Sequence, residues 1–431
     1  MTTLKAVRGT RDLLPPETAL WNRIEATARA VFARYNFGEI RTPIFEDTAL
    51  FARGVGEETD IVSKEMYTWE DRARAQSEKT QSLTLRPENT AGVVRAYIEH
   101  KLGETGQLQK LYYIGPQFRR ERPQKGRYRQ FSQIGAEVIG PPSAGSESPL
   151  RDAEILEMLA TLLDELGITG WKLELNSVGS AADRARYNET LRAALLPVVG
   201  QMCVDCQRRA VTNPLRVLDC KAPADQPIID TLPVIADSLD EASRVHFAAV
   251  IGALDAAGVP YTRNHRLVRG LDYYTRTTFE FTHGGLGAQN ALLGGGRYDG
   301  LSEMIGGPKA PGIGFAMGED RLVLTLLAQE LAATPVLADA FIAPLGESLN
   351  PAALALAREL RRAGLRIELG DGSFRLKKSF EAADKAARSI VILGEDELQS
   401  GILTVKNFAT GIQTKVPRTE LAIFLTKPAS E

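Results

Sequence analysis

The first part of the chain alternates apolar and polar residues at helical spacing. Its apolar positions, which follow a pair of prolines, are Leu20, Ile24, Val31 and Tyr35. Residues spaced in this way share one face of a helix, and Gly38 stands where such a helix would end. Residues 39–44 then have the composition of a short strand, which Pro43 restricts to a sheet edge or a bulge, because proline donates no hydrogen bond to a ladder. The pattern predicts a long amphipathic helix followed by an edge strand that is available to a partner subunit.

Four later stretches have strand-like composition, namely 83–94, 111–119, 129–139 and 277–281. Long connections without internal repetition separate them, so the pattern does not alternate as regular βαβ units. We therefore expect the first two-thirds of the chain to be α+β, built around an antiparallel sheet, rather than a doubly wound nucleotide-binding fold.

Two changes of pattern divide the chain into domains. Residues 178–257 are mostly helical in pattern and predict a helical insertion. Another change, at 332–339, precedes strand-like stretches that alternate with two helical ones. The predicted organisation is a first domain of residues 1–177 and 258–330, an insertion of residues 178–257, and a compact α/β domain of residues 331–431.

The two helices of the last domain carry different signals. The first has Asn350 as its predicted N-cap, Pro351 at its first position and Gly364 just past its end. The second is basic, and its cations are Arg375, Lys377, Lys378 and Lys385. A basic helix is typical of a solvated face, and contact with RNA is the alternative.

Composition excludes several classes of protein. The chain has 431 residues, with 44% hydrophobic and 25% charged, which suits an ordinary globular enzyme of two or three domains. No apolar run approaches the roughly 20 residues that span a bilayer, and the first residues lack the apolar stretch of a secretory signal. We therefore expect a cytoplasmic protein without a membrane partner. Since the net charge is −2, local basic clusters must hold any polyanion.

The three cysteines lie in one short segment as Cys203, Cys206 and Cys220. This distribution differs from the framework of a disulfide-stapled secreted protein and favours a reducing compartment. Together with one more ligand the three thiols could hold zinc, but no fourth Cys or His lies at the usual spacing, and His246 is distant. We expect reduced structural thiols here rather than zinc, and the predicted site includes no metal.

Positive charge is densest in residues 118–131, FRRERPQKGRYRQF, where six of fourteen residues are Arg or Lys. Guanidinium groups are rigid forks that suit phosphate, and Gly126 lets the loop turn tightly. Glu121 stands among these cations, where it could pair with an Arg or receive the amino group of an adenine base. The pattern favours a triphosphate site, and a surface loop that binds any polyanion is the alternative.

This basic hairpin resembles motif 2 of the class II aminoacyl-tRNA synthetases, in the version found in histidyl enzymes. The other matching stretches are 267–274 (LVRGLDYY) and 295–301 (GGRYDGL), which resemble strings peculiar to that family, and 312–322 (GIGFAMGEDRL), which resembles motif 3. The helix near Gly38 and the strand with Pro43 resemble motif 1. The resemblance implies a class II catalytic domain on an antiparallel sheet, with the helical insertion, followed by an anticodon-binding-like α/β domain.

The resemblance also implies an activity, which is ATP-dependent ligation of L-histidine to tRNA(His) through a histidyl-adenylate, with release of AMP and diphosphate. ATP with Mg²⁺ would be a substrate, and no tightly bound cofactor is implied. The implied partners are tRNA(His), L-histidine and ATP, without DNA. Motif 1 is a subunit interface in this class, so a homodimer is expected.

Two alternatives explain less of the sequence. A non-catalytic synthetase paralogue, acting as a regulatory subunit of histidine biosynthesis, would keep the fold without the chemistry. Arg119, Arg269 and Arg321 are all present, however, and a complete C-terminal domain follows. A generic RNA-binding protein would not explain the two histidyl strings.

By the same resemblance, the residues implied to bind ATP are Arg119, Glu121, Arg127 and Arg321. Arg119 corresponds to the motif 2 arginine on the α-phosphate, and Arg321 to the motif 3 arginine on the far phosphates. Arg269 corresponds to a family-specific arginine beside the α-phosphate, where charge develops as the histidine carboxylate attacks. Arg269 and Arg119 are therefore the predicted catalytic residues.

A larger set is implied to bind histidine, namely Glu88, Asn89, Thr90, Arg119, Gln133, Glu137, Arg269, Tyr273, Tyr274 and Tyr298. Within this set Glu137 and Tyr274 face the imidazole ring, and Glu88 is one of the positions for the α-amino group. Two positions depart from the family pattern, with Asn89 where many relatives have glycine and Ser132 where many have histidine. Because Asn tolerates a left-handed backbone, Asn89 is expected to preserve a turn.

Overall fold

The computed structural model describes residues 3–56, 59–71, 80–124, 126–286, 290–331 and 337–426. The chain forms two units, which are Met1–Ala333 and Thr334–Glu431. Within the described residues, no helix combines the length and the apolar character needed to cross a membrane.

The first unit contains eleven described strands, which are β1 (Gly38–Glu39), β2 (Phe45–Asp47), β3 (Tyr67–Asp71), β4 (Gln81–Leu85), β5 (Gln109–Phe118), β6 (Gln130–Ile139), β7 (Trp171–Ser177), β8 (Thr262–Arg263), β9 (Thr275–His283), β10 (Ala291–Arg297) and β11 (Gly312–Gly318). Its described α-helices are α1 (Glu17–Arg34), α2 (Thr48–Val55), α3 (Thr90–Glu99), α4 (Pro149–Glu165), α5 (Ala181–Leu195), α6 (Val204–Thr212), α7 (Gln226–Ile229), α8 (Glu241–Ala257), α9 (Leu301–Met304) and α10 (Glu319–Ala328). A π-helical turn, Ile61–Glu65, follows α2.

An eight-stranded sheet organises this unit, in the order β1-β5-β6-β11-β10-β9-β7-β8. Neighbours from β5 to β7 pair antiparallel, and β1 and β8 join the two edges in parallel. A smaller sheet has the order β2-β4-β3. The prediction of an α+β fold on an antiparallel sheet is therefore confirmed, and β5, β6 and β9 match three of the four predicted strand stretches.

For the remaining stretch, 83–94, the prediction of a strand is right at its beginning and wrong at its end. Strand β4 ends at Leu85, and helix α3 begins at Thr90. The Glu88 carboxylate accepts the N–H groups of Thr90 and Ala91, which satisfies donors that a helix start leaves free. This acceptor starts a helix although the following residues include two β-branched valines, which pack into the apolar core.

Helix α1 matches its prediction except at its end. It stops at Arg34, and Asn36 adopts the left-handed conformation, with φ of 62°. Asn is one of the few residues that adopts this conformation readily. Gly38 therefore does not end the helix, and instead pairs with Leu111 as the first residue of edge strand β1.

The main core lies between one face of the large sheet and a layer formed by α1, α4, α8 and α10. Side chains alternate between the two faces of a strand. On β6, Ile134 and Ala136 are buried in this core, whereas Gln133 and Glu137 point to the opposite face. The helices therefore cover one face of the sheet, and polar side chains such as Gln133 and Glu137 lie on the other face.

The segment between β7 and β8 is helical. Residues from Val178 to Leu239 form a separate apolar cluster, which includes Cys206 and Cys220 and is completed by Val268. Helix α8 differs from the rest of the segment because it packs against α4 in the main core.

The second unit contains the sheet β13-β12-β14-β15-β16, formed by β12 (Ala340–Pro344), β13 (Ile367–Leu369), β14 (Ser389–Leu393), β15 (Ile402–Asn407) and β16 (Gln413–Pro417). Its described helices are α11 (Asn350–Arg362), α12 (Leu376–Ala386), α13 (Glu395–Ser400) and α14 (Leu421–Thr426). Strands β13, β12 and β14 are parallel, and the last two pairings are antiparallel.

For the first helix in this unit, the predicted C-terminal end is confirmed and the predicted N-cap is wrong. Gly364 follows α11 with φ of 88°, as expected of a residue just past a helix end. The N-cap is Leu349, and not Asn350, whose side-chain oxygen instead accepts the N–H of Gly372 at 2.9 Å. Asn350 is occupied by this tertiary contact, which local sequence does not reveal.

Candidate active site

A cavity of about 400 Å³ opens on the polar face of the large sheet. It is bordered by the β5–β6 hairpin, by the π-helical turn and by strands β9, β10 and β11. The predicted residues that line it are Arg119, Glu121, Arg127, Gln133, Arg269 and Arg321. Cations that are about 200 residues apart in sequence thus surround one space, as a bound polyphosphate would require.

The arginines from the two motifs are held by backbone carbonyls. Arg119 donates from Nε to the oxygen of Pro87 at 2.9 Å, and its guanidinium lies 5.3 Å from the centre of the Phe131 ring. Arg321 donates from Nη1 to the oxygen of Ala291 at 2.7 Å. Contacts of this kind orient the guanidinium groups, and an uncharged carbonyl does not cancel their charge.

Glu121 and Arg127 form an ion pair of 3.1 Å on the hairpin. Both line the cavity. Glu121 pairs with an Arg, which was one of the two roles considered from sequence. The other role, accepting the amino group of an adenine base, stays possible because a carboxylate that accepts from one guanidinium has further lone pairs. Lys125, another cation of the loop, lies outside the described residues.

Arg269 lies in the cavity against strands β9 and β10. Its Nη1 donates to Glu280 at 2.7 Å, and its Nε is buried without a hydrogen-bond partner among the described residues. Burial by itself would lower the pKa of Arg269, but Glu280 and Tyr274 outweigh it and raise the pKa. A side chain at Gly294 would collide with this guanidinium, so the glycine makes room for it.

Glu137 lies on the same face of the sheet, in a buried cluster with three tyrosines. It is completely buried, and its Oε1 accepts the hydroxyl of Thr90 at 2.7 Å. Its Oε2 stands beside the Tyr298 hydroxyl without a hydrogen bond of normal geometry. Burial raises the pKa of Glu137 to about 8. A Cβ atom at Gly314, on the neighbouring strand, would overlap the carboxylate.

The tyrosines form the apolar side of this cluster. The rings of Tyr273 and Tyr274 are 4.7 Å apart, and those of Tyr273 and Tyr298 are 6.0 Å apart. Gln133 adds a buried oxygen that has no partner among the described residues. Aromatic rings beside unpaired buried polar atoms suit a small, flat and polar ligand, because buried polar groups in proteins are normally paired.

Glu88 and Asn89 both make hydrogen bonds at the start of helix α3. Glu88 caps helix α3 through Thr90 and Ala91, at 2.9 Å each, and burial raises its pKa against these bonds and Arg119. Asn89 has φ of −120°, so the expected left-handed turn is wrong. Its side-chain oxygen instead accepts the hydroxyl of Thr42 at 2.6 Å, which ties α3 to the segment after β1.

Ser132, the second departure, donates to Glu319 at 2.8 Å. Glu319 is fully buried at the start of α10, and burial raises its pKa to about 8. The serine thus provides one donor to a carboxyl group that has no ion pair among the described residues.

We expect Glu319 to make stability pH-dependent. A carboxyl group whose pKa is higher in the folded chain, at about 8, than its ordinary value of 4.5 binds more protons when folded. The free energy of unfolding therefore falls as the pH rises between these two values. Glu319→Gln should remove this loss, so in urea unfolding it should gain stability relative to wild type as the pH increases.

The matched control is Glu303→Gln, which changes an exposed carboxylate at the end of α9. It should follow the wild-type profile. If Glu319→Gln and wild type had parallel profiles through this pH range, the buried acid would not be the cause.

Several residues of the cavity were not predicted from sequence. They are Asp60, Glu65, Tyr128, Arg216, Glu280 and Asp320. Tyr128 and Asp320 lie within the motif stretches 118–131 and 312–322, and Glu280 alternates with Phe279 and Phe281, which are buried in the main core. Arg216 comes from the helical insertion and reaches Gly270, a long-range contact without a sequence signature.

The chain is similar to two family models. Residues 9–322 match the model described as histidyl-tRNA synthetase, and residues 339–427 match an anticodon-binding domain. These matches divide the chain near the border between the two structural units.

Individual relatives cover nearly the whole chain. A histidine–tRNA ligase of Koribacter versatilis is 72% identical over 423 residues, which is 98% of this chain and 96% of the relative. One of Solibacter usitatus is 57% identical over 97% of this chain and 98% of its own length. Among solved structures, apo histidyl-tRNA synthetase of S. aureus has a TM-score of 0.80 at 38% identity, covering 99% of this chain and 100% of the other.

Proposed function

The chain belongs to the histidyl-tRNA synthetase family, and from that premise we propose that its cavity activates L-histidine with ATP and transfers it to tRNA(His). The observation that carries the proposal is the convergence of Arg119, Arg269 and Arg321 on one cavity, on the same face of the sheet as the buried Glu137. The products are histidyl-tRNA, AMP and diphosphate.

Activation is a displacement at phosphorus. A carboxylate oxygen of histidine attacks the α-phosphorus of ATP, and the bond from this phosphorus to the oxygen bridging to the β-phosphate breaks, so that diphosphate leaves. Arg119 and Arg269 stabilise charge on the α-phosphate, and Arg321 holds the leaving phosphates. The enzyme contributes position and electrostatic stabilisation, and no protein nucleophile is required.

Mg²⁺ fits this cavity as the companion of ATP. Asp60, Glu65 and Glu121 line it and provide oxygen donors of the kind that Mg²⁺ prefers. When bound with ATP, Mg²⁺ would neutralise phosphate charge. The transfer step then requires the terminal ribose hydroxyl of tRNA to attack the carbonyl of the adenylate, with AMP as the leaving group.

We assign recognition of the imidazole ring to Glu137 and Tyr274, with Tyr273 and Tyr298 beside them. A ring nitrogen that carries hydrogen would donate to the free Oε2 of Glu137, which has no other partner among the described residues. A site that pairs a polar side chain in this way excludes apolar amino acids of similar size, because they would leave its buried groups unpaired.

Glu137→Gln should weaken histidine binding. At a pH above about 8, where Glu137 is ionised, the amide cannot provide the negative charge that attracts the ring N–H, and a hydrogen bond to a charged group is worth about 1.5–3 kcal/mol. The KM for histidine in pyrophosphate exchange should rise roughly 10- to 100-fold, while the KM for ATP should change little. The control is Glu104→Gln on an exposed side chain. Equal effects on both Michaelis constants would contradict the assignment to histidine.

The proposed function as a whole is tested by exchange of labelled pyrophosphate into ATP. Each of the twenty amino acids is offered separately to the purified protein. We expect exchange with histidine alone. Exchange with no amino acid, from a folded protein, would instead favour the regulatory paralogue.

We also propose a cytoplasmic homodimer, with the second unit as the part that binds the anticodon region of tRNA. A tRNA ligase works where ribosomes use its product. The exposed rings of Phe45 and Trp69, 6.1 Å apart on the small sheet, support a subunit contact near the segment that resembles motif 1. Sedimentation velocity measures the oligomeric state directly.

A further inference from the structure

Four potential ligands converge in the helical insertion. Cys203 is the N-cap of α6, Cys206 lies in its first turn, and Cys220 and Asp225 come from the loop that precedes α7. The three sulfur atoms and one carboxylate oxygen all lie within 4.8 Å of one another. Segments up to 22 residues apart thus bring their ligand atoms to one point.

Two distances within the cluster are close to the edges of a tetrahedron around a single ion. Zinc–sulfur bonds of about 2.3 Å place two sulfurs about 3.8 Å apart, and the sulfurs of Cys203 and Cys220 are 3.8 Å apart. A sulfur and a carboxylate oxygen on the same ion would be about 3.5 Å apart, compared with 3.2 Å between Cys220 and Asp225. A disulfide would require about 2.0 Å, and it would leave the third thiol unused.

The buried carboxylate of Asp225 would be unusual without a cation beside it. Asp225 is only 1% exposed and has no ion pair among the described residues. A buried carboxylate is normally paired with a cation or coordinated to a metal, since its desolvation is costly.

Backbone donors in the cluster support negative charge on the ligands. The N–H of Cys203 donates to Asp225 at 3.0 Å, and the N–H of Ala222 donates to the sulfur of Cys220 at 3.3 Å. The positive end of the α6 dipole lies at Cys203 and Cys206. Such second contacts orient metal ligands and stabilise their charged forms.

We propose that Cys203, Cys206, Cys220 and Asp225 bind one structural Zn²⁺. Three thiolates and one carboxylate complete a closed tetrahedral site, and the thiol protons are released to solvent on binding. The sequence-based expectation of no zinc depended on the absence of a fourth Cys or His. Asp225 provides the missing ligand, which sequence could not single out among the many acidic residues of the chain.

The proposed ion would connect the insertion to the active site. It joins α6 to the loop 219–225, and between these segments lie Asn213 and Arg216. Asn213 donates to Asp272 at 3.0 Å, and Arg216 approaches Gly270 and lines the cavity. The ion therefore fixes the segment that supports residues 269–274 from outside the catalytic sheet.

The first test is the metal content of the full chain, purified without a metal-affinity column and dialysed after incubation with excess zinc. We expect about one zinc per chain. Replacement by Co²⁺ should give the intense visible bands of a tetrahedral site and thiolate-to-cobalt charge transfer. A folded protein that retained no zinc, and that gave no thiolate bands with Co²⁺, would overturn the proposal.

The second test assigns the ligands. Asp225→Asn keeps the size of the side chain and an acceptor for Cys203, but it should reduce zinc affinity by more than the roughly 100-fold that the loss of an outer contact costs. Asp219→Asn changes a nearby, half-exposed carboxylate and should leave affinity unchanged. Affinity is measured by competition with a chromophoric chelator, which is independent of tRNA charging. Equal zinc affinity in Asp225→Asn and wild type would exclude the four-residue set.

Discussion

Arg269→Ala is expected to lower kcat/KM for histidine-dependent pyrophosphate exchange roughly 10²- to 10³-fold, the loss that follows removal of one preorganised donor to a developing charge. Arg269 is the cation in the cavity that is packed between Gly294 and Glu280, with a buried Nε that is unpaired among the described residues. Its charge is held in place before substrate arrives. Because this interaction strengthens in the transition state, kcat should fall more than the KM for either substrate rises.

Two further variants separate chemistry from folding. Arg269→Lys keeps the charge but not the planar fork, and should recover only part of the lost rate. Arg263→Ala removes an exposed arginine on β8 and should exchange pyrophosphate at the wild-type rate. Thermal unfolding of all three should be measured beside the rates. If Arg269→Ala were folded and its kcat were within a few-fold of wild type, Arg269 would not be a catalytic residue.

Arg297→Met is expected to destabilise the first unit by about 3–5 kcal/mol, the usual result of removing one partner from a buried ion pair. Arg297 and Asp152 are both completely buried and 2.6 Å apart. Arg297 also contacts Asp299 at 2.8 Å, and His246 contacts Asp152 at 2.9 Å. Burial acts to raise the pKa of Asp152, but Arg297 and His246 outweigh it and lower the pKa. The variant would leave a buried carboxylate without its main counter-charge.

The measurement is urea unfolding at neutral pH, followed by a probe in the first unit. Arg29→Met serves as control, because it breaks a partly exposed pair with Glu25 on α1 and should cost less than about 1 kcal/mol. Replacing both Arg297 and Asp152 by apolar residues should cost less than Arg297→Met alone, since no buried charge then lacks its partner. A double variant as unstable as the sum of the two single variants would contradict this explanation.

Arg297 also shows that a single family motif can contain residues with different roles. It belongs to the stretch GGRYDGL, which helped to identify the family from sequence. In the structure its neighbour Tyr298 lies beside Glu137, whereas Arg297 points away into a buried ionic cluster. Adjacent residues of a strand alternate between the faces of the sheet, and Tyr298 continues this alternation directly after β10, so one string contains both a substrate-binding candidate and a stabilising residue.

Sequence by itself determined the features that depend on neighbouring residues. The helical spacing in α1, the strands β5, β6 and β9 and the basic hairpin between two of them were all predicted, because side-chain periodicity reflects one buried face. The family motifs likewise predicted Arg119, Arg269 and Arg321, and these three residues do line one cavity.

Tertiary structure alone decided the pairings between distant segments. In the strand-like stretch 83–94, the Glu88 carboxylate accepts a backbone N–H and a helix begins there. Asn89 makes a hydrogen bond with Thr42 and does not adopt a left-handed turn. Asp225 became a candidate metal ligand only because a loop brings it to Cys203. A hydrogen bond or ion pair across the fold depends on the coordinates of both partners, and no local pattern of apolar and polar residues specifies those coordinates.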